Sequence, residues 1–280
     1  MLENAARVWK LSLRGEPVEI NFPDTSSLDA ITRRLPQGYY STFRTFGGGK
    51  RALGLQAHLQ RLYRPASLQN IKPSVPVALL RRHLSDILQE YFHEARVRMI
   101  MTGNGQVYIA IETLKPLPPE IYLHGVKVIT LDVQRDNPRV KSTAFITRSE
   151  NIRTQIAHSE VFEALLMRKN SILEGMTSNF FYVMDGALGT ARNEILLGVT
   201  RRTVLRVIRE SGLSIVYRPM KQEQVSALSE AFLTSSSRGI VPIIRIDDIT
   251  VGEGHPGSAT KRLSNAYAQY VEDHAEVIQP

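Results

Sequence analysis

The chain of 280 residues has no cysteine at all. Disulfides, zinc ribbons, iron–sulfur clusters and thiol nucleophiles are therefore excluded. It has a single tryptophan, and aromatic residues make up only 7% of it. No apolar run approaches the roughly 18 residues that a membrane-spanning helix needs. The opening Met1-Leu2-Glu3-Asn4 lacks a basic head followed by an apolar stretch, so a secretory leader is not expected. Acidic residues are the minority charge, 27 against 35 basic ones, for a net charge of +8. Only nine of the basic residues are lysine. The arginines are scattered, with pairs such as Arg33-Arg34, Arg81-Arg82 and Arg201-Arg202 but no longer block. No aromatic residues interleave with them as a stacking platform for single strands would require. Nucleic acid is therefore not the expected partner, and anionic small molecules suit the charge. What is present, 42% hydrophobic and 22% charged residues, is ordinary for a soluble globular chain. At about 150 residues per domain, the length allows two domains. The expectation is a cytoplasmic enzyme or binding protein.

Hydrophobic periodicity organises the chain. Val8 to Leu13 and Val18 to Ile20 alternate like strands around a Gly15-Glu16-Pro17 turn. Gly47-Gly48-Gly49 separates a second strand pair. Residues 75–91 follow helical spacing, with Leu80, Leu84, Ile87, Leu88 and Tyr91 on one face. Two strands, Val97 to Thr102 and Val107 to Glu112, flank a Gly103-Asn104-Gly105 turn. Lys115-Pro116-Leu117-Pro118-Pro119 is a proline cluster of the kind that stiffens linkers. It places a domain boundary between residues 117 and 118, giving domains 1–117 and 118–280. Beyond it, Val126 to Val133 reads as a strand and residues 149–168 as a helix. Phe180 to Met184 and Gly186 to Leu188 read as a hairpin. Thr200 reads as the cap of a helix that ends at Gly212, and a last helix spans residues 258–272. Strands recur at Ile215, Glu230 to Thr234 and Val241 to Ile246. Strands and helices in both halves indicate an α+β protein.

Several familiar chemistries are missing. Gly47-Gly48-Gly49-Lys50 is followed by Arg51 and has Arg44 where a phosphate loop needs glycine, so it reads as a turn. No His-Glu-x-x-His pair exists, and no metal site is expected. No Gly-x-Ser-x-Gly elbow marks a serine hydrolase. What remains is a set of short polar patterns, each weak alone. Glu174-Gly175-Met176-Thr177-Ser178-Asn179 runs into an apolar strand, where an acid is usually a surface group. Leu196-Leu197-Gly198-Val199-Thr200-Arg201 offers backbone amides at a helix start, which is an anion site by geometry or simply a capped helix. Thr234-Ser235-Ser236-Ser237 follows a strand as a phosphate cradle or a polar turn.

Their order is informative. His58-x-x-Arg61-Leu62 comes first, then Lys141-Ser142, then Glu174-Gly175-x-x-Ser178-Asn179. Leu196-x-Gly198-x-Thr200-Arg201 and Thr234-Ser235-Ser236-Ser237 before Pro242 follow, and Gly252-x-Gly254-x-x-Gly257-x-x-Thr260 closes the series. Over roughly residues 38 to 270 this resembles the class IV aminotransferases. These are the fold-type IV pyridoxal-phosphate enzymes, which include branched-chain and D-amino-acid transaminases and aminodeoxychorismate lyase. The resemblance implies a small N-terminal α/β domain, a larger C-terminal pseudo-barrel domain, pyridoxal 5'-phosphate as cofactor between them, and a homodimer. It implies that Lys141 holds the cofactor as a Schiff base and moves the substrate proton. Glu174 would pair with the pyridine nitrogen, so that the ring acts as an electron sink. Arg61 would clamp the phosphate, completed by the amides of Val199 and Thr200 and the hydroxyl of Ser236. Ser178 and Asn179 would hold the loop of Glu174. Tyr40, Arg98 and Ser237 would face the substrate.

The chain also departs from the family. Ile146 stands where branched-chain enzymes carry a tyrosine near the cofactor's phenolic oxygen, so that contact is absent or comes from elsewhere. Leu35-Pro36-Gln37-Gly38 keeps only the second glycine of a Phe-Gly-x-Gly run. Gly103 stands near the place of a carboxylate-binding arginine of D-amino-acid transaminases. Arg98 matches the arginine of a Tyr-x-Arg strand motif, with Arg96 in place of the tyrosine, and alternation puts Val97, Met99 and Met101 on the opposite face. The resulting expectation is a transaminase acting between an amino acid, of branched-chain type, and a 2-oxo acid. A lyase using the same lysine and a cofactor-free binding protein on the same fold are the alternatives. The intact Glu-Gly-x-x-Ser-Asn run favours transamination over the lyase, and Lys141, Glu174 and Arg61 together argue against the binding protein.

Overall fold

The computed structural model describes residues 5–23 and 25–279, so Met1-Leu2-Glu3-Asn4 lies outside the described residues. The chain begins with strand β1 (Arg7–Leu11), paired with the short β2 (Val18–Glu19). Helix α1 (Leu28–Arg34), which the sequence reading does not anticipate, starts where the Ser27 side chain accepts the Ala30 amide at 3.1 Å. Strands β3 (Gly38–Phe46) and β4 (Arg51–Ala52) form a hairpin. Its turn puts Gly47, Gly48 and Gly49 at φ of +58, +68 and +93, which explains three consecutive glycines without any phosphate. Helices α2 (Leu55–Leu68) and α3 (Val77–Gln89) precede the antiparallel pair β5 (Ala95–Thr102) and β6 (Val107–Thr113). Leu55, Leu59 and Leu62 of α2 and Leu80, Leu84 and Leu88 of α3 share a core with Val97, Met99 and Met101 of β5. The other face of β5 gives Ile100 to a second cluster with Tyr40, Ile31 and Ile146.

Next come α4 (Pro119–His124), β7 (Val126–Leu131), α5 (Ala144–Arg148) and α6 (Glu150–Ala157). Three antiparallel strands follow, β8 (Glu163–Arg168), β9 (Ser171–Gly175) and β10 (Asn179–Met184), and β11 (Ala187–Thr190) completes the hairpin with β10. The expected helix over 149–168 is thus a correction. Only its first half is helical, and Glu163–Arg168 is a strand parallel to β7. Ala164, Leu165 and Leu166 are all buried, and a short run buried on both faces has no period that separates strand from helix. Helix α7 (Val199–Glu210) leads to β12 (Ile215–Tyr217) and β13 (Met220–Lys221). Its N-cap is Gly198 rather than Thr200, which lies inside the first turn. Strands β14 (Glu230–Ser235), β15 (Gly239–Ile246) and β16 (Ile249–Thr250) precede α8 (Ser258–His274) and β17 (Glu276–Val277). The closing glycine motif has a packing reason. Glu230 accepts the Ala259 and Thr260 amides at 3.0 and 2.7 Å, and a Cβ on Gly257 would lie 2.1 Å from the Glu230 carboxyl carbon.

The chain divides into two compact units. One holds the residues up to Lys115, Val140–Ser149 and the residues from His274 onward; the other holds Pro116–Arg139 and Glu150–Asp273. The proline cluster marks the first passage between them, while the short segment carrying Lys141 belongs to the first unit. That unit is built on a sheet of order β17-β4-β3-β5-β6-β1-β2. In the second, the path β10-β14-β15-β7-β8-β9 closes on itself, because β9 meets β10 again through Glu174 and Asn179. This gives the barrel-like sheet of an α+β fold. Among the described residues no helix is long and apolar enough to cross a membrane.

Candidate active site

Glu174 is the penultimate residue of β9 and is 2% exposed. A carboxylate so buried needs donors. Arg135 Nε donates to Oε1 at 3.0 Å, while Asn179 Nδ2 and the Leu196 amide donate to Oε2 at 3.3 and 3.0 Å. Arg135 also donates from Nη2 to the Met176 carbonyl at 2.6 Å, and Asn179 Nδ2 to the Leu196 carbonyl at 2.8 Å. The acid read as a surface group when seen alone is therefore the centre of a buried polar knot. A cavity of about 320 Å³, lined also by Leu166, Arg168, Leu173 and Glu194, reaches this pair.

The start of α7 stands beside that knot. A Cβ on Gly198 would lie 2.2 Å from Asn179 Oδ1, so only glycine lets the helix begin there. No side chain caps this end, and its first turn carries no acid. It carries instead Arg201, whose Nη2 donates to the Ala191 carbonyl at 2.7 Å and whose burial pulls its pKa below the ordinary guanidinium value. Cations are unfavourable at the positive end of a helix, and a bound anion would relieve this. Thr200 donates its hydroxyl to Ser236 Oγ at 3.1 Å, which brings the β14–β15 turn with Ser236 and Ser237 to the same place. Amides of Val199 and Thr200, two hydroxyls and a nearby arginine make a donor set that fits a phosphate.

Two further charged residues hold this unit together. Glu163 Oε1 accepts the Thr177 amide at 2.5 Å and the Ser178 hydroxyl at 3.0 Å. Its Oε2 accepts Arg238 Nη2 at 2.7 Å. Burial alone would push its carboxyl upward, yet the Arg238 charge and the Thr177, Arg238 and Ser178 hydrogen bonds hold it below the ordinary value.

In the first unit, Lys141 lies along the start of β3. Its carbonyl accepts the Tyr40 amide at 3.0 Å, and the Thr143 amide donates to the Gly38 carbonyl at 2.9 Å. Gly38 has no room for a side chain, since a Cβ would lie 2.0 Å from the Met101 carbonyl oxygen. Lys141 Nζ sits 4.8 Å from the Tyr40 ring centroid, and the Arg98 guanidinium is also 4.8 Å from that ring. Ile146 is fully buried in the cluster around Tyr40 and supplies no hydroxyl. Arg98 is committed to its own unit: Nη1 bonds Asp29 at 2.7 Å, the Leu28 carbonyl at 3.0 Å and Thr32 at 2.8 Å, while Nε bonds Thr42 at 3.0 Å. Arg61 lies half-buried on α2 beside His58, whose Nδ1 is 2.8 Å from Ser41 Oγ.

The structure thus gathers Glu174, Ser178, Asn179, Val199, Thr200, Ser236 and Ser237 in one unit, and Tyr40, Arg98 and Lys141 in the other. Sequence reasoning missed Arg135, Glu163 and Arg238. Arg238 directly follows the serine run and could have been weighed with it, whereas Glu163 fell inside the misread helix.

The family model of class IV amino-transferases matches residues 38–246. The chain is 28% identical over 244 residues to the D-alanine aminotransferase of Bacillus licheniformis, covering 82% of this chain and 86% of that protein. It is 26% identical over 247 residues to the branched-chain-amino-acid aminotransferase of Pseudomonas aeruginosa, covering 79% and 80%. In fold it is similar to the T.th. branched-chain amino acid aminotransferase with pyridoxamine 5'-phosphate, with a TM-score of 0.81 over 98% of this chain and 99% of that one, at 20% identity. With a match across three quarters of its length, the chain belongs to the class IV aminotransferases, enzymes that use pyridoxal 5'-phosphate.

Proposed function

We propose that this enzyme works in the cytoplasm as a homodimer, transferring an amino group between an amino acid, of branched-chain type, and a 2-oxo acid, with Lys141 carrying its pyridoxal 5'-phosphate. The observation that supports the reading most is the buried Glu174 carboxylate, held by Arg135, Asn179 and the Leu196 amide beside an uncapped helix start with room for an anion. The cofactor, when bound, supplies a conjugated cationic ring that accepts the electron pair left when the substrate loses its α-proton.

The protein's own residues supply the rest. Glu174 offers a fixed negative charge to the ring nitrogen, and its donors keep that charge in place as the reaction proceeds. Val199, Thr200 and Ser236 donate to the phosphate, with Arg61 as a planar clamp and Ser178 and Asn179 as supports of the Glu174 loop. Lys141 Nζ anchors the cofactor and then moves a proton, and the face of Tyr40 beside it restricts where that amine can swing. Tyr40 and Ser237 contact the substrate. Arg98, whose guanidinium lies 4.8 Å from the Tyr40 ring centroid, would face the substrate as well.

The test is borohydride reduction of the purified yellow protein, followed by peptide mapping. The label is expected on Lys141 and absent from Lys141→Ala. A label on another lysine would refute the assignment. Amine donors that bleach the yellow colour, assayed as L-amino acids, D-amino acids and simple amines, would name the substrate class.

A further inference from the structure

We propose that Arg238 is a positioning residue that fixes the loop carrying Glu174 and the turn carrying Ser236 at one spacing, so that the two ends of the cofactor are held at the distance its length requires. The inference rests on the function proposed above and concerns residues of the second unit only. Arg238 follows Ser235-Ser236-Ser237 in the turn between β14 and β15. Its Nε donates to Ser235 Oγ at 3.0 Å, at the end of β14. Its Nη2 reaches out of the turn to Glu163 Oε2 at 2.7 Å and to Thr177 Oγ1 at 2.6 Å. The guanidinium lies 5.1 Å from the Phe162 ring centroid, and the Arg238 carbonyl accepts the Tyr122 hydroxyl at 2.9 Å.

Glu163 completes the tie. Its second oxygen takes the Thr177 amide and the Thr177 and Ser178 hydroxyls, so the loop from Gly175 to Asn179 is pinned by backbone and side chain together. Gly175 is forced by the same knot, since a Cβ there would lie 2.1 Å from Ser178 Oγ and 2.7 Å from Glu163 Oε1. The pinned loop has Glu174 at one end and Asn179 at the other. The turn holds Ser236, bonded to Thr200 at the start of α7. One guanidinium therefore joins the segment at the ring nitrogen to the segment at the phosphate. The bonds to the Thr177 hydroxyl and back to Ser235 tie the ion pair to both segments at once. The pair is well shielded, with side-chain exposures of 20% for Arg238 and 5% for Glu163, so solvent screens it little.

The experiment compares the wild-type protein with Arg238→Met and Arg238→Lys. Each is stripped of cofactor and titrated by absorbance with pyridoxal 5'-phosphate and, separately, with pyridoxal, at a temperature where circular dichroism shows all three folded. Arg238→Met is expected to weaken both compounds roughly 10- to 100-fold, since loss of one partner leaves the other buried charge uncompensated and the loop unpinned. Arg238→Lys should recover part of the loss, because an ammonium keeps the charge but not the fork. Affinities within about twofold of wild type in folded Arg238→Met would overturn the inference, as would a loss confined to pyridoxal 5'-phosphate, which would mean that the turn alone had moved. If Arg238→Met does not fold, Thr177→Val removes the shared hydroxyl, leaves the ion pair, and should weaken both compounds about two- to tenfold; no change in that variant overturns the inference. A wild-type protein that binds neither compound would overturn the proposed function itself. Normal wild-type binding beside unaffected variants would overturn only the role of Arg238.

Discussion

Removing Arg135 tests the electrostatic core of the candidate site. Arg135 and Glu174 are 5% and 3% exposed at their side chains and meet at 3.0 Å. Two unit charges about 4 Å apart interact by roughly 4 kcal/mol at the effective dielectric of a protein site. Desolvation offsets much of that while both partners are present, but deleting one partner of a buried pair typically costs about 3–5 kcal/mol. Arg135→Met fills similar volume, strips the guanidinium from Oε1 and releases the Met176 carbonyl, while the Asn179 and Leu196 donors on Oε2 remain. Those donors place the expected loss near the lower limit, about 3 kcal/mol. Glu174→Gln should cost a similar amount by stranding the guanidinium. The double variant removes both charges and should lose at least about 2 kcal/mol less than the sum of the singles. Urea unfolding of the cofactor-free proteins at pH 7 measures all four corners of this cycle. Additivity within about 0.5 kcal/mol would mean that the two residues do not act as a pair, and the reasoning would fail.

Three other outcomes follow from the same geometry. The Glu163 carboxyl is held below its ordinary value of 4.5, so its contribution to stability is full above that pH and is lost as pH falls through the depressed folded value. The stability gap between wild type and Glu163→Gln, measured by urea unfolding from pH 7 to pH 3.5, should therefore narrow on acidification, and a constant gap would contradict the ion pair. His83 is 5% exposed with neither ring nitrogen hydrogen-bonded, so His83→Leu should raise stability by about 1 kcal/mol, read as a higher melting temperature; a lower one would show the ring to be satisfied. Gly198→Ala drives a methyl into Asn179 Oδ1 and should cost about 1–3 kcal/mol and lower kcat by displacing a donor to Glu174, whereas wild-type stability and turnover would show that the helix start can shift.

Legibility in the sequence followed the reach of each interaction. The hairpin at Gly47–Gly49 and the β5–β6 pair were readable because turn residues and alternation act over a few positions. The start of α7 and the serine turn were readable as polar segments because each carries its polar groups in consecutive residues. Arg135, Glu163 and Arg238 were not readable, because each gains its meaning from a partner 39, 14 or 75 positions away. Arg98 illustrates the same limit. Alternation placed it correctly on the face opposite Val97 and Met99, yet nothing local announced that Asp29 and Thr32, on a helix the pattern did not show, would take its donors.

The position of Glu174 and Asn179 in the barrel supplies a reason why the candidate site residues of this unit gather where they do. Around most of the sheet, backbone amides and carbonyls are consumed by ladders, such as the five aligned pairs between β10 and β14. Strands β9 and β10 meet through a single pair, Glu174 with Asn179, which closes the short connection 175–178. A seam that short leaves buried backbone groups to be satisfied by other means. The Met176 carbonyl takes Arg135, the Thr177 amide takes Glu163, and Glu174 and Asn179 turn their side chains to the Leu196 amide and carbonyl. In the proposed site, the charges that close the barrel are also the charges offered to the cofactor, because the place where the ladder runs out is where side chains must carry the polar contacts. On this account Glu163, Arg238 and Arg135 belong to the barrel and to the site equally. A change at any of them should register in both stability and cofactor affinity, whereas a change at the far end of the β10–β14 ladder, at Val183, should register in stability alone.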